Sequence, residues 1–269
     1  MNPVVVTRGA SPVILAFPHT GTDVPGAIMG RLNVEGKKLR DTDWHVDRLY
    51  DGLLAEATTV RATFHRYVID ANRDPSGKSL YPGQNTTSLV PMTDFDDRPI
   101  WNEGMEPDAA ALEDRLKRFH APYHAALQAE VERVRAAHGV AVLYDCHSIR
   151  SMCPFLFEGR LPDFNIGTDN GRTCAPGIER RVAEICGAAE GYSSVVNGRF
   201  RGGWTTRHYG NPAGGVHAIQ MELAQSAYLT DEAPPWDYDD TRAERLRTPL
   251  RAILEAVAAG AGALSAAAR

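Results

Sequence analysis

Four cysteines among 269 residues, none of them spaced C-x-x-C, are too few for a disulfide scaffold. A chain of this length also buries enough core to need neither disulfides nor a structural metal. Such sparing cysteine usage fits reduced thiols and the expectation of a cytoplasmic protein. Basic residues are not in excess either. Lys and Arg number 29 against 34 Asp and Glu, a net charge of −5 with no basic block. Nucleic acid and anionic membrane surfaces therefore find no electrostatic footprint. No apolar run approaches the roughly 18 residues of a membrane span. The opening Met1-Asn2-Pro3 lacks the positive start, apolar middle and cleavage site of a secretory signal. There is no Walker loop, no G-x-G-x-x-G after a strand and no G-x-S-x-G elbow. What remains is a soluble intracellular enzyme or small-molecule binder.

Short apolar runs alternate with helical patterns. Val13 to Phe17 is continuously apolar and ends at Pro18, as expected of a strand buried on both faces. Val140 to Tyr144 and Val216 to Leu223 read the same way, and Thr63 to Asp70 also reads as a strand. Helical patterns cover Leu49 to Ala57, Ala109 to His138 with a break near Pro122, Pro176 to Ala189 and Thr241 to Ala258. The Ala/Gly-rich stretch Ala258 to Ala268 reads as the end of a surface helix. This alternation predicts one α/β domain over residues 1–269, its central sheet mixed and largely parallel and flanked by helices. Asn72 to Glu106 and Ser148 to Thr173 are long, Gly/Pro/Asn/Asp-rich and without periodicity, which is characteristic of functional loops.

In open α/β sheets ligands bind outside the carboxyl ends of strands. One strand runs into Pro18-His19-Thr20-Gly21, another into Asp145-Cys146-His147-Ser148, and a third carries Gln220-Met221-Glu222. A catalytic zinc needs three protein ligands and an open position, and His19 and His147 are suited to supply its nitrogens. The third ligand is sought in Asp41-Thr42-Asp43-Trp44-His45-Val46-Asp47, whose plainer role is to cap and open a helix. Asp145 stands two residues before His147 on the same strand face and is placed to orient its ring. Glu222 is the candidate general base and acid. Arginines recur in the loops, at Arg73 beside Asn72 and at Arg199, Arg201 and Arg207 in a Gly-rich stretch, where guanidinium forks suit a substrate with two carboxylates. Cys146 cannot pair directly with His147, because adjacent strand residues face opposite ways. His120 and His124 have metal-compatible spacing without a third ligand nearby in sequence.

These residues sit within longer segments: Pro18 to Pro25, Asp41 to Tyr50, Asn72 to Pro75, Leu80 to Gln84, Tyr144 to Ser151, Phe157 to Asp163, Gly202 to Gly210 and Gln220 to Leu223. In that order, over about residues 10 to 230, they resemble the N-formylglutamate amidohydrolase family. That resemblance implies hydrolysis of N-formyl-L-glutamate to formate and glutamate, a step of histidine degradation. More distantly the pattern is similar to the zinc carboxypeptidase and aspartoacylase group. There a strand-end His, a D-x-N-R segment, a D-x-H segment and a late Glu serve as ligand, substrate clamp, ligand and base. His19, Asp70-Ala71-Asn72-Arg73, Asp145-Cys146-His147 and Glu222 fall in that order. Where that group carries an acidic ligand three residues after the first His, this chain has Thr22, so the resemblance moves the third ligand to the Asp41–Asp47 segment, with Asp47 preferred over Asp43.

The expectation is thus a zinc-carboxypeptidase-like amidohydrolase with His19, Asp47 and His147 on zinc and Glu222 as base and acid. Asn72, Arg73, Arg207 and Arg201 bind a small dicarboxylate substrate, with no nucleic-acid or membrane partner. Its rivals are the same chemistry on another N-acyl acidic amino acid, a non-catalytic binder of acidic metabolites, and a thiol hydrolase using Cys146.

Overall fold

The computed structural model describes residues 2–79 and 83–267. Leu80 to Pro82, part of one segment of the family resemblance, and Ala268, at the end of the Ala/Gly-rich stretch, lie outside the described residues.

Three nonpolar runs become the middle of the sheet: β2 (Val13–Phe17), β4 (Ala141–Ile149) and β7 (Val216–Ala224), every residue of which is buried. They are joined by β1 (Val4–Thr7), β3 (Thr58–Ala62), β5 (Phe164–Gly167) and β6 (Ser194–Val196) in the order β1-β3-β2-β4-β7-β5-β6. The β1–β3 and β5–β7 pairs are antiparallel and the other four parallel, so the sheet is mixed and largely parallel as expected. The helices are α1 (Gly26–Met29), α2 (Val46–Tyr50), α3 (Ala109–Arg115), α4 (Ala121–His138), α5 (Pro176–Ala188), α6 (Trp204–Tyr209) and α7 (Asp240–Ala267).

Side chains of a strand alternate faces, and here the alternation sorts the core into two layers. Leu15, Val142, Tyr144, Cys146, Ile219 and Met221 pack with α2, α5 and α7. On α7 the stripe Leu246, Leu250, Ile253, Leu254 and Val257 recurs every three to four residues, which is what makes the segment an amphipathic helix. Ile14, Ala16, Leu143 and Ala218 face the other way, onto Tyr123, Leu127, Val131 and Val134 of α4 and onto Phe64 to Ala71. Cys146 thus lies in the layer opposite Leu143, and its neighbour His147 continues the Leu143 face.

Three expectations are corrected. Thr63 to Asp70 is not a strand. It leaves β3, makes a single bridge from Phe64 to Asp23 and then turns, with Val68 N–H donating to His65 O and Arg66 reaching Asp70 four residues on, and most of its nonpolar residues are buried by the fold around a loop. The Leu49 to Ala57 helix is shorter and earlier. α2 ends at Tyr50, where Asp51 leaves the helical region at ψ 127° and Gly52 comes next at φ +67°, and turns follow. Ala109 to His138 does not break at Pro122. Pro122 sits in the first turn of α4, directly after the π-helical turn over Leu116–His120 through which α3 passes into α4. The Ser148–Thr173 stretch contains β5, while β4 runs on through Asp145 to Ile149. Among the described residues no helix is long and apolar enough to cross a membrane.

Candidate active site and metal centre

Register brings the site together. β4 and β7 run parallel with Asp145 opposite Gln220 and His147 opposite Glu222, so all four side chains project from one face. β2 lies on the other side of β4, and His19 follows its end. The third acid comes from the turn before α2. Asp43 N–H donates to His19 O at 3.1 Å, which seats its carboxylate against the two rings.

His19 Nδ1 lies 3.8 Å and His147 Nδ1 3.1 Å from Asp43 Oδ2, and the three residues each offer one ligand atom within 4.8 Å of the other two. Each imidazole has a carboxylate behind it. His19 Nε2 meets Asp70 Oδ1 at 2.7 Å, and His147 Nε2 meets Asp145 Oδ1 at 3.1 Å. Asp70 behind His19 Nε2 favours hydrogen on that nitrogen and leaves the His19 Nδ1 lone pair facing Asp43, whereas His147 meets a carboxylate oxygen at each ring nitrogen. All five groups are buried.

The electrostatics ask for a cation. Asp43, Asp70, Asp145 and Glu222 are buried together, and the buried arginine facing them is Arg66, 2.7 Å from Asp70 Oδ2 and 3.7 Å from Asp43 Oδ1. Buried charge without a partner is costly. Burial works against the His147 imidazolium, yet Asp145 and Asp43 outweigh it and hold the ring well above the usual histidine range. Burial and the nearby Arg66 lower His19 despite Asp70 and Asp43. Burial raises Asp43, but the two histidines pull it below the ordinary carboxylate value. Burial likewise opposes the Arg66 guanidinium, and Asp70 and Asp43 keep it charged. Two nitrogens and one carboxylate, each nitrogen backed by an acid, fit a divalent metal of the zinc type.

Glu222 accepts from Gln220 Nε2 at 3.1 Å, and burial pushes its carboxyl up to about 8. It lines, with His19 and His147, a cavity of about 310 Å³, a volume suited to a metabolite. The cavity wall carries Arg66, Arg73, Lys78 and Arg199 against Asp74 and Glu222, a balance that favours an anionic ligand. Thr205 N–H fixes Asn72 by donating to its Oδ1 at 2.8 Å, which sets Asn72 Nδ2 3.1 Å from His147 Nε2. A Cβ on Gly203 would stand 2.3 Å from Asn72 Nδ2, so only glycine allows this approach. Arg73 reaches the cavity with Nε on Thr87 O at 2.9 Å, and Arg199 with Nε on Leu156 O at 2.9 Å.

His19, His147, Glu222, Asn72 and Arg73 are therefore brought together, whereas three expected residues are not. Asp47 sits in the first turn of α2 with its side chain 39% exposed, 3.7 Å from Arg61. A helix opening at Asp43 would put Asp43 and Asp47 on one face. Instead His45 takes φ +58° and α2 starts only at Val46, so Asp43 turns inward and Asp47 outward. Arg207, on α6, donates Nε to Gly202 O at 2.9 Å and lies 3.5 Å from Asp169, outside the cavity wall. Arg201 is exposed, with Nε on Gly198 O at 3.2 Å. Arg66, Asp70, Lys78 and Gln220 were missed as site residues. Arg66 stood inside the expected strand, and only D-x-N-R marked Asp70.

Fold and site together define a class, a hydrolase built on a mixed α/β sheet with its chemistry at the carboxyl end of the central strands. The model of the N-formylglutamate amidohydrolase family matches residues 11–229. An N-formylglutamate deformylase of Pseudomonas aeruginosa is 47% identical over 255 residues, covering 94% of each chain, and one of Pseudomonas putida is 43% identical over 253 residues with the same coverage. The crystal structure of an N-formylglutamate amidohydrolase from Ralstonia eutropha superposes with a TM-score of 0.78 at 26% identity, covering 97% of this chain and all of that one. The chain belongs to the N-formylglutamate amidohydrolase family.

Proposed function

We propose that this protein hydrolyses N-formyl-L-glutamate to formate and L-glutamate, with a zinc ion held by His19, Asp43 and His147. The observation that carries the reading is the convergence of those three ligand atoms within 4.8 Å, beside Glu222 in a cavity lined by cationic side chains. The name of the two Pseudomonas relatives, N-formylglutamate deformylase, supports the substrate. When bound, such a cation supplies Lewis acidity and lowers the pKa of water.

The remaining work falls to the chain. Glu222, whose carboxyl burial raises to about 8, takes a proton from water in its ionised form and returns it to the departing amine of glutamate. Arg66, kept charged by Asp70 and Asp43, offers donors to negative charge developing on the formyl oxygen. Arg73, Arg199 and Lys78 receive the two substrate carboxylates, with Asn72 as a further polar contact. A carboxylate at each end of the substrate keeps the formyl group toward Glu222. The family resemblance assigns the reaction to histidine degradation, and four free, buried cysteines fit a reducing cytoplasm.

Formate release from N-formyl-L-glutamate, measured before and after chelation and after zinc add-back, tests both parts. Activity lost to the chelator and restored by zinc is the expected result. Turnover that persists in protein shown by metal analysis to be stripped overturns the metal, and no formate release from zinc-loaded protein overturns the substrate.

A further inference from the structure

His120 and His124 of the α4 region are spaced four apart, but the metal-competent group among the described residues does not include them. Both rings end instead on backbone carbonyls of one short segment. His124 Nε2 lies 2.8 Å from Ala71 O, and His120 Nε2 lies 3.0 Å from Arg73 O. A carbonyl only accepts, so each ring carries its hydrogen on Nε2 and donates it. His124 Nδ1 is then the acceptor for the Tyr209 hydroxyl at 3.0 Å. The carbonyls on either side of Asn72 are in this way tied to α4, while Thr205 of α6 holds Asn72 Oδ1 from the other side. Trp204 closes the gap between the two helices, its ring edge-on to His124 at 4.6 Å and 87°. His120 is the last residue of the π-helical turn, a deviation that recurs at functional sites.

We propose that His120 and His124 are positioning residues for substrate binding, holding the Ala71–Arg73 backbone so that Asn72 and Arg73 meet a substrate carboxylate ready-oriented. The inference rests on the N-formyl-L-glutamate reading given above. A segment already fixed loses little freedom when the substrate arrives, so the histidines act on affinity rather than on the chemical step.

The test compares the zinc-loaded wild type with His120→Leu, His124→Leu, His120→Gln and His124→Gln. Glutamine places an amide N–H near the position of the histidine Nε2–H. In each Leu variant KM for N-formyl-L-glutamate and Ki for L-glutamate should rise together about tenfold, equal to about 1.4 kcal/mol. Ki for formate, zinc content and kcat should stay within about threefold, and each Gln variant should recover most of the loss. A merely structural role lowers thermal stability without this selective change. Leu variants with wild-type KM and wild-type glutamate Ki overturn the inference, as do Gln variants no better than Leu. If a Leu variant does not fold, the Gln variant at that position decides, since it must keep KM within about threefold of wild type. A wild type inert on N-formyl-L-glutamate overturns the underlying reading, whereas an active wild type with unaffected variants overturns this inference alone.

Discussion

Replacing Asp43 by Asn, with Asp47→Asn beside it, separates two acids that stand four residues apart in sequence and in different environments in the fold. Asp43 is 1% exposed, and its Oδ2 lies 3.1 Å and 3.8 Å from the two histidine Nδ1 atoms. Asparagine keeps the shape and an acceptor for Ser148 N–H, now 3.1 Å from Asp43 Oδ2, but removes the charge. A unit charge about 4 Å from another contributes about 4 kcal/mol at an effective dielectric near 20. At about 1.4 kcal/mol per decade this is roughly three orders of magnitude in metal affinity. Asp47 offers no such term, because its side chain is 39% exposed and its partner Arg61 is 3.7 Å away and 37% exposed. An exposed pair of that kind contributes below about 1 kcal/mol. Zinc affinity by chelator competition, with formate release on the same samples and circular dichroism as a check of folding, gives the answer. Folded Asp43→Asn should lose zinc and activity, and Asp47→Asn should match wild type in both. The reasoning is refuted if Asp43→Asn binds zinc like wild type, or if Asp47→Asn is the variant that loses it.

Two further outcomes follow from groups outside the ligand set. Glu222→Gln should cut kcat by about 10²- to 10⁴-fold, the usual contribution of a general base, with zinc content unchanged; turnover near wild type removes Glu222 from the mechanism. Burial, with the His120 ring adding to it, lowers His124 from 6.5 to about 3. A depressed folded-state value favours the neutral ring, so this stabilisation is present above about pH 6.5 and lost as pH falls toward 3. Between pH 7.5 and pH 5 the wild type should lose about 2 kcal/mol more than His124→Gln, at about 1.4 kcal/mol per unit. Urea unfolding at the two pH values measures this, and equal losses contradict it.

The parts of the fold legible in the sequence are those where burial on both faces leaves an unbroken nonpolar run. β2, β4 and β7 read directly for that reason, and the α4 and α7 helices read from their three-to-four spacing. Thr63 to Asp70 misleads because a loop packed beneath the sheet buries the same residue types as a strand. The true β3, Thr58–Ala62, alternates buried and half-exposed residues over only five positions, a weaker pattern than its neighbour. β5 is four residues inside a loop-like composition and carries no such signal.

The site divides along a similar line, between pairs set by strand geometry and pairs set by tertiary contact. Asp145 and His147 are two apart on one strand, so D-x-H itself puts an acid behind the imidazole, and this half could be read locally. His19 has the same device, but its acid is Asp70, 51 residues on, delivered by a loop that Arg66 braces from within. Nothing near His19 in sequence announces that partner. The choice of Asp43 over Asp47 likewise turns on one backbone torsion at His45 and one hydrogen bond to His19 O. Strand register adds the last constraint. With His147 opposite Glu222, a one-residue slip of β7 against β4 would turn Glu222 into the layer that holds Cys146 and Met221, away from the cavity. The long, fully buried pairing of β4 with β7 is therefore what keeps the proposed base beside the proposed metal ligands, and the nonpolar runs that revealed the strands are the same ones that hold the active-site register.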